Sequence, residues 1–125
     1  GGGGVVGERA ESLGRVGEYR ERFDVGTARA VAPLGVAAEY VMPLVRVGGA
    51  FLAMKGRRAA EEVREAREAV RALGGEVEEV RWYRLPWSGQ ERAIVAVRKV
   101  AHTDARYPRR PGVAERRPLG GRGSE

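Results

Sequence analysis

Cysteine is absent from this 125-residue chain and histidine occurs once. Those gaps exclude a disulfide framework, a thiolate metal site and an imidazole cluster, so any metal chemistry would rest on carboxylates alone. Neither a Cys/His pair nor a carboxylate dyad stands out as a nucleophile with its base. No apolar run approaches the roughly 18 residues of a membrane span. The glycine-rich start, Gly1 to Gly4, also lacks the basic, apolar and small-residue order of a signal peptide. A soluble, cytoplasmic protein is expected, with neither a metal nor a membrane as partner.

What the chain does carry is arginine. Lysine and arginine number 23 against 17 acidic residues, for a net charge of +6. The first 100 residues hold 17 basic and 14 acidic groups and the last 25 hold 6 and 3, so half of the excess sits on the final fifth. An arginine-rich tail suits bidentate phosphate contacts, although a solvated basic surface has the same composition. With 42% apolar residues the length allows one small domain and is too short for two.

The apolar pattern predicts the elements. Val5 and Val6 read as the end of a strand, so the chain is expected to start in mid-fold, and Arg9 to Arg22 reads as a loop or short helix. Phe23 to Ala28 forms a buried strand. Pro33 suits a first helical turn, Leu34, Ala37, Ala38, Val41 and Leu44 follow at helical spacing, and Pro43 ends or kinks that helix. Val47 to Gly49 is expected to turn into a strand over Ala50 to Met54. Ala59 to Leu73 is the clearest helix, with Val63, Ala66, Val70 and Leu73 on one face, surface pairs Glu61–Arg64 and Glu68–Arg71, and Gly74 and Gly75 as its stop. Strands over Glu76 to Leu85 and Arg92 to Val100 are joined by a turn over residues 86–90. The uninterrupted run from Ala93 to Val97 predicts a central strand covered on both faces. The order strand, strand, helix, strand, helix, strand, strand predicts an α/β sheet with parallel crossovers and a closing antiparallel hairpin.

Three stretches make this more specific: GERAE at residues 7–11, TARAVAPL at 27–34, and YPRRPG at 107–112 followed by RRPL at 116–119. In this order they resemble the bacterial small-subunit ribosomal RNA guanine-N7 methyltransferases, the glucose-inhibited division protein B family. The resemblance runs from Val5 to Leu119. It implies the carboxy-terminal half of a class I, Rossmann-like methyltransferase sheet, ending in an antiparallel hairpin and an irregular basic tail. Residues 1–100 would form an incomplete methyltransferase domain and 101–125 the tail.

The implied reaction moves a methyl group from S-adenosylmethionine to N7 of a guanine in small-subunit ribosomal RNA. Among the matching positions, Ala10 and Glu11 correspond to the pair that meets the adenosine of the donor. Arg29 corresponds to a donor-site residue whose guanidinium suits a carboxylate or an RNA phosphate. Lys55, Arg109, Arg110, Arg116 and Arg117 are candidate RNA contacts. Plainer roles stay open for each: an exposed acid for Glu11, a surface ion pair for Arg29, a strand-end lysine for Lys55, and a tail packed over its own domain for the arginines. His102 reads as an exposed loop residue, and Trp82 and Trp87 read as core and hairpin packing. The family's glycine-rich turn after the first strand has no counterpart, since GGGG follows no strand. The chain alone is therefore expected to be inactive. Gly26 stands where a β-branched residue is more usual and Ala114 where the family tends to have proline. Two other functions remain possible: a basic α/β module that binds RNA without chemistry, and a Rossmann-type methyltransferase with another substrate.

Overall fold

The structure is a computed structural model that describes residues 5–6, 19–29 and 32–119. Its strands are β1 (Val5–Val6), β2 (Phe23–Ala28), β3 (Val45–Lys55), β4 (Gly75–Arg84) and β5 (Glu91–Lys99). The helices are α1 (Leu34–Val41), α2 (Ala59–Ala72) and the single turn α3 (Val113–Arg116). One mixed sheet has the order β1-β2-β3-β5-β4. β1, β2 and β3 are parallel, and β5 lies antiparallel between β3 and β4. The α/β class, the closing hairpin and the central place of the last strand agree with the expectation from sequence. Among the described residues no helix is long and apolar enough to cross a membrane.

α1 is buried nearly all round, every residue but Gly35, whereas α2 buries one apolar face. In α2 the buried Ala59, Val63, Ala66, Ala69 and Val70 recur at three- and four-residue spacing, with Glu61 and Glu62 in the first turn and Arg71 in the last, each charge set against the helix dipole. Glu61 pairs backwards with Arg58, at 3.1 Å, where a pair with Arg64 was expected. Leu73 closes the helix and Gly74 follows at φ +89°; a Cβ there would lie 2.2 Å from the Ala101 carbonyl oxygen. Gly75 is already the first residue of β4. As Pro43 implied, α1 stops at Val41 and a 3-10 turn over Met42–Leu44 leads into β3.

Two features differ from the sequence reading. β3 begins at Val45, five residues earlier than expected. The glycines that looked like a turn lie inside the strand, where Phe23 pairs with Val45 but Val25 already pairs with Ala50, an irregularity with Gly48 at φ +93°. β5 is central in the sheet, yet only one of its faces is buried. Ala93, Val95, Val97 and Lys99 point under the helices, whereas Arg92, Ile94 and Ala96 are half-buried and Arg98 is exposed. An apolar run thus reported position in the sheet, while α1 and α2 packing on one side set the burial.

Gly26 is the residue that brings α1 onto the sheet. A Cβ at this position would come within 2.3 Å of Val41 Cγ1 and 3.2 Å of Val45 Cγ2. The β-branched side chain that the strand pattern favours would therefore collide with the helix above it. After β5 the chain runs through irregular backbone and α3, burying Tyr107 and Ala114 in the core with α1.

Candidate functional site at the carboxyl edge of the sheet

Ligands of open α/β sheets gather outside the carboxyl ends of parallel strands. Here β2 and β3 end together: Ala28 pairs with Ala53, and Lys55 closes β3 two residues later. Arg29 is the first residue past β2. It is exposed and makes no ion pair among the described residues. Ala10 and Glu11 lie outside the described residues.

The backbone leading into α1, at Ala32 and Leu34, is held from below. The ammonium of Lys55, almost wholly buried, donates a short hydrogen bond to the Ala32 carbonyl oxygen and pairs with Glu62 Oε1 at 3.0 Å. Glu62 Oε1 also accepts the Leu34 N–H at 3.0 Å. Pro33, at the cap position of α1, offers no side-chain acceptor. The Glu62 carboxylate takes that role at the positive end of the helix. These bonds correct the reading of Lys55 as an RNA contact: its charge is used inside the fold, tying β3, α2 and the start of α1 together.

The tail divides in the same way. Glu39, in α1, is 1% exposed and receives Arg109 Nε at 2.9 Å, Arg109 Nη2 at 2.7 Å and the Arg109 backbone N–H at 2.9 Å. The hydrogen bond to Glu39 raises the pKa of the guanidinium above its ordinary value. Arg109 Nη2 also donates to the Arg117 carbonyl oxygen at 2.7 Å. Arg109 is thus an anchor, and Arg110, Arg116 and Arg117 face solvent. Tyr107 is buried beneath the Arg106 guanidinium, which lies 5.1 Å from its ring centroid, so it offers no face to a base. Tyr40 Oη and Glu115 Oε1 are 2.7 Å apart, and Pro118 and Leu119 share a cavity wall with Pro33 and Leu34. The tail therefore runs along α1: Arg109, Gly112, Glu115 and Arg117 lie at its last turn, beside Glu39 and Tyr40, and Pro118 and Leu119 reach its start.

That cavity, of about 650 Å³, is lined by Glu62, Glu65 and Glu68 against a single cation, Arg64. Its sign is wrong for a polyanion, and the exposed arginines lie outside it. The carboxyl edge is the better candidate for RNA.

A second buried cation escaped the sequence reading. Lys99 is fully buried, donating to the carbonyl oxygens of Met42 at 2.8 Å and Val45 at 2.6 Å, and pairing with Glu21 Oε2 at 3.0 Å. Burial pushes the Lys99 pKa down, and Glu21 partly restores it. Glu21 also accepts the Thr103 N–H at 2.8 Å and meets His102 Nδ1 at 2.7 Å. Burial raises the Glu21 pKa, but the bonds from Thr103, His102 and Lys99 outweigh it and leave a net lowering. Glu21 has φ 50°, unusual for a residue with a side chain, and its N–H is held by Pro43 O at 2.8 Å. Beside it, Arg20 donates to the carbonyl oxygens of Thr103 and Tyr107. The one available signal was period two: Lys99 continues the buried alternation of Ala93, Val95 and Val97.

The sequence model of the rRNA small subunit methyltransferase G family, GidB, matches residues 4–94. The chain belongs to this family. Two curated relatives share the GidB description. The rRNA small subunit methyltransferase G of Pelotomaculum thermopropionicum is 49% identical over 111 residues, 89% of this chain and 46% of the relative. That of Symbiobacterium thermophilum is 54% identical over 115 residues, 92% of this chain and 47% of the relative. The chain thus spans about half the length of these curated GidB relatives. Among solved structures, a mutant 16S rRNA (adenine(1408)-N(1))-methyltransferase from Catenulisporales acidiphilia superposes with a TM-score of 0.56 at 13% identity, over 78% of this chain and 59% of that one. The form of that enzyme with cosubstrate SAM gives 0.54 at 14% identity, over 78% and 58%. At such identity the likeness concerns the fold alone: the GidB chain shares part of the α/β fold of these methyltransferases.

Proposed function

We propose that this chain, as part of a polypeptide of its relatives' length, takes part in moving a methyl group from S-adenosylmethionine to N7 of a guanine in small-subunit ribosomal RNA, in the cytoplasm. Residues 1–100 supply the incomplete methyltransferase sheet and residues 101–125 the basic tail. One observation carries the reading in a chain of this family: Arg29 stands exposed just past the carboxyl end of β2, with no ion pair among the described residues. When bound, the donor supplies an electrophilic methyl group on its sulfonium. Guanine N7 carries a lone pair and no proton, so the protein's task is alignment rather than deprotonation. An exposed guanidinium fits the donor's carboxylate, and Arg29 offers it at the carboxyl end of β2. Ala10 and Glu11 meet the adenosine in this reading.

With the full-length protein, Arg29→Ala is expected to lower kcat/KM for methyl incorporation into small-subunit ribosomal RNA about 10- to 100-fold, the loss of one charge-assisted contact. Isothermal titration of the 125-residue chain alone, the accompanying control, should show no saturable heat with S-adenosylmethionine up to about 1 mM. Kinetics within threefold of the parent would take Arg29 out of the site.

The exposed tail arginines are tested through salt. Changing Arg110, Arg116 and Arg117 to alanine should weaken RNA binding at low salt and reduce the slope of log affinity against log salt by roughly 0.7–0.9 for each lost phosphate contact. The thermal midpoint should hardly move, because exposed charges are worth only about 0–1 kcal/mol each. An unchanged slope would show that these three groups neutralise no phosphate.

A further inference from the structure

The β4–β5 hairpin extends past the end of its neighbour. β3 stops at Lys55, opposite Ala93, while the hairpin ladder continues through Tyr83 with Arg92 and Arg84 with Glu91 before it turns over residues 85–90. Because β5 runs antiparallel to β3, this overhang lies beyond the carboxyl end of β3, on the edge from which Arg29 emerges. Trp87 sits in the turn and is 80% exposed, the most of any large apolar side chain among the described residues. It was expected to pack on the hairpin, and it does not. Tyr83 and Trp82, behind it on opposite faces of β4, are also exposed.

The turn is braced. Leu85 N–H donates to Gln90 O at 3.0 Å, Gly89 N–H to Leu85 O at 2.8 Å, and Arg84 Nη1 to Gly89 O at 3.0 Å. Arg92 Nη2 reaches Gln90 Oε1 at 2.8 Å. The nearby carboxylate, Glu91, lies 3.5 Å from Arg84 Nη2, too far for a strong pair, and Arg84 is exposed; Arg92 is half-buried, its Nη1 donating to Glu91 O at 3.1 Å. An indole left in water on an ordered turn contributes nothing to the core. With cations on both strands beside it, it has the make-up of a stacking platform for a nucleic acid base.

We propose that Trp87 stacks on an unpaired base of the ribosomal RNA substrate, with the exposed Arg84 turned to an adjoining phosphate. The hairpin tip then grips the RNA at the carboxyl edge. This inference rests on the ribosomal RNA reading above.

The test uses the full-length protein and small-subunit ribosomal RNA transcribed in vitro, with affinity followed by fluorescence anisotropy over a range of salt. Trp87→Ala should bind about 5- to 100-fold more weakly, the usual worth of one stacked base, with an unchanged salt slope because no phosphate contact is lost. Trp87→Phe should stay within about threefold of the parent, and both variants should melt with it. Arg84→Ala should instead lower the slope by roughly 0.7. If the parent binds the RNA and Trp87→Ala binds it within twofold, stacking is wrong while the ribosomal RNA reading stands. If the parent does not bind the RNA, that reading fails and takes this inference with it. If Trp87→Ala changes self-association in sedimentation and leaves RNA binding alone, the tip is a protein contact and the inference is overturned.

Discussion

Lys99→Met is expected to destabilise the protein by about 3–5 kcal/mol, the usual cost of removing one partner of a buried ion pair. The thermal midpoint followed by circular dichroism should fall roughly 10 °C or more. The substitution keeps the aliphatic length but strands the Met42 and Val45 carbonyl oxygens and removes the cation from Glu21. Because Glu21 in turn fixes Thr103 and His102, the damage should extend to the junction between β5 and the tail. A pH titration checks the same cluster. The folded-state pKa of Glu21 is depressed, so its carboxylate contributes stability that is fully present above its unfolded value, about 4.3, and is lost as pH falls through the lower folded value. The acid side of the stability profile should be shallower in Lys99→Met. A midpoint within 2 °C of the parent would mean that the cluster is not what holds this end of the sheet.

Arg109→Ala should cost about as much, again roughly 3–5 kcal/mol, because Glu39 would remain buried with only the backbone N–H of residue 109 to satisfy it. Replacing both partners with leucine should recover most of the loss, since no unpaired charge then stays inside. Limited proteolysis should cut the single variant after β5 well before the parent and the double variant. This behaviour separates Arg109 from Arg110, Arg116 and Arg117, whose substitution should change the salt dependence of RNA binding and leave the melt alone. Should Arg109→Ala melt with the parent while lowering the salt slope, Arg109 would be a phosphate contact and the Glu39 pair incidental. From sequence, Arg109 stands with Arg110, Arg116 and Arg117 as a candidate RNA contact, and the buried Glu39 pair sets it apart from them. Proline and arginine spacing reports that a segment is irregular and basic, but which guanidinium turns inward depends on α1 presenting Glu39.

The same division runs through the fold. Periodicity located α2, the hairpin and the stop at Pro43, because a 3.6-residue or two-residue repeat of apolar side chains is itself the condition for burying one face. It misread Val47 to Gly49, since glycines at a strand irregularity and glycines at a turn have the same composition and differ only in whether a neighbouring strand pairs with them. It also read Gly26 as an anomaly, although the space above that residue belongs to Val41 of α1. Trp87 was assigned to packing on the general habit of tryptophan, and the hairpin's overhang beyond β3 is what leaves it in water.

By itself, then, the sequence determined the α/β class, the order of the elements, the basic character of the tail and the family, because these depend on local pattern and on motif order along one chain. Only the tertiary structure decided how each cation is used. Lys55, Lys99 and Arg109 are spent on Glu62, Glu21 and Glu39, while Arg29, Arg110, Arg116 and Arg117 are left to solvent. A side chain's charge is fixed by its type, but whether that charge is paired depends on which carboxylate the fold brings within about 3 Å, and those partners lie 7, 78 and 70 residues away in sequence.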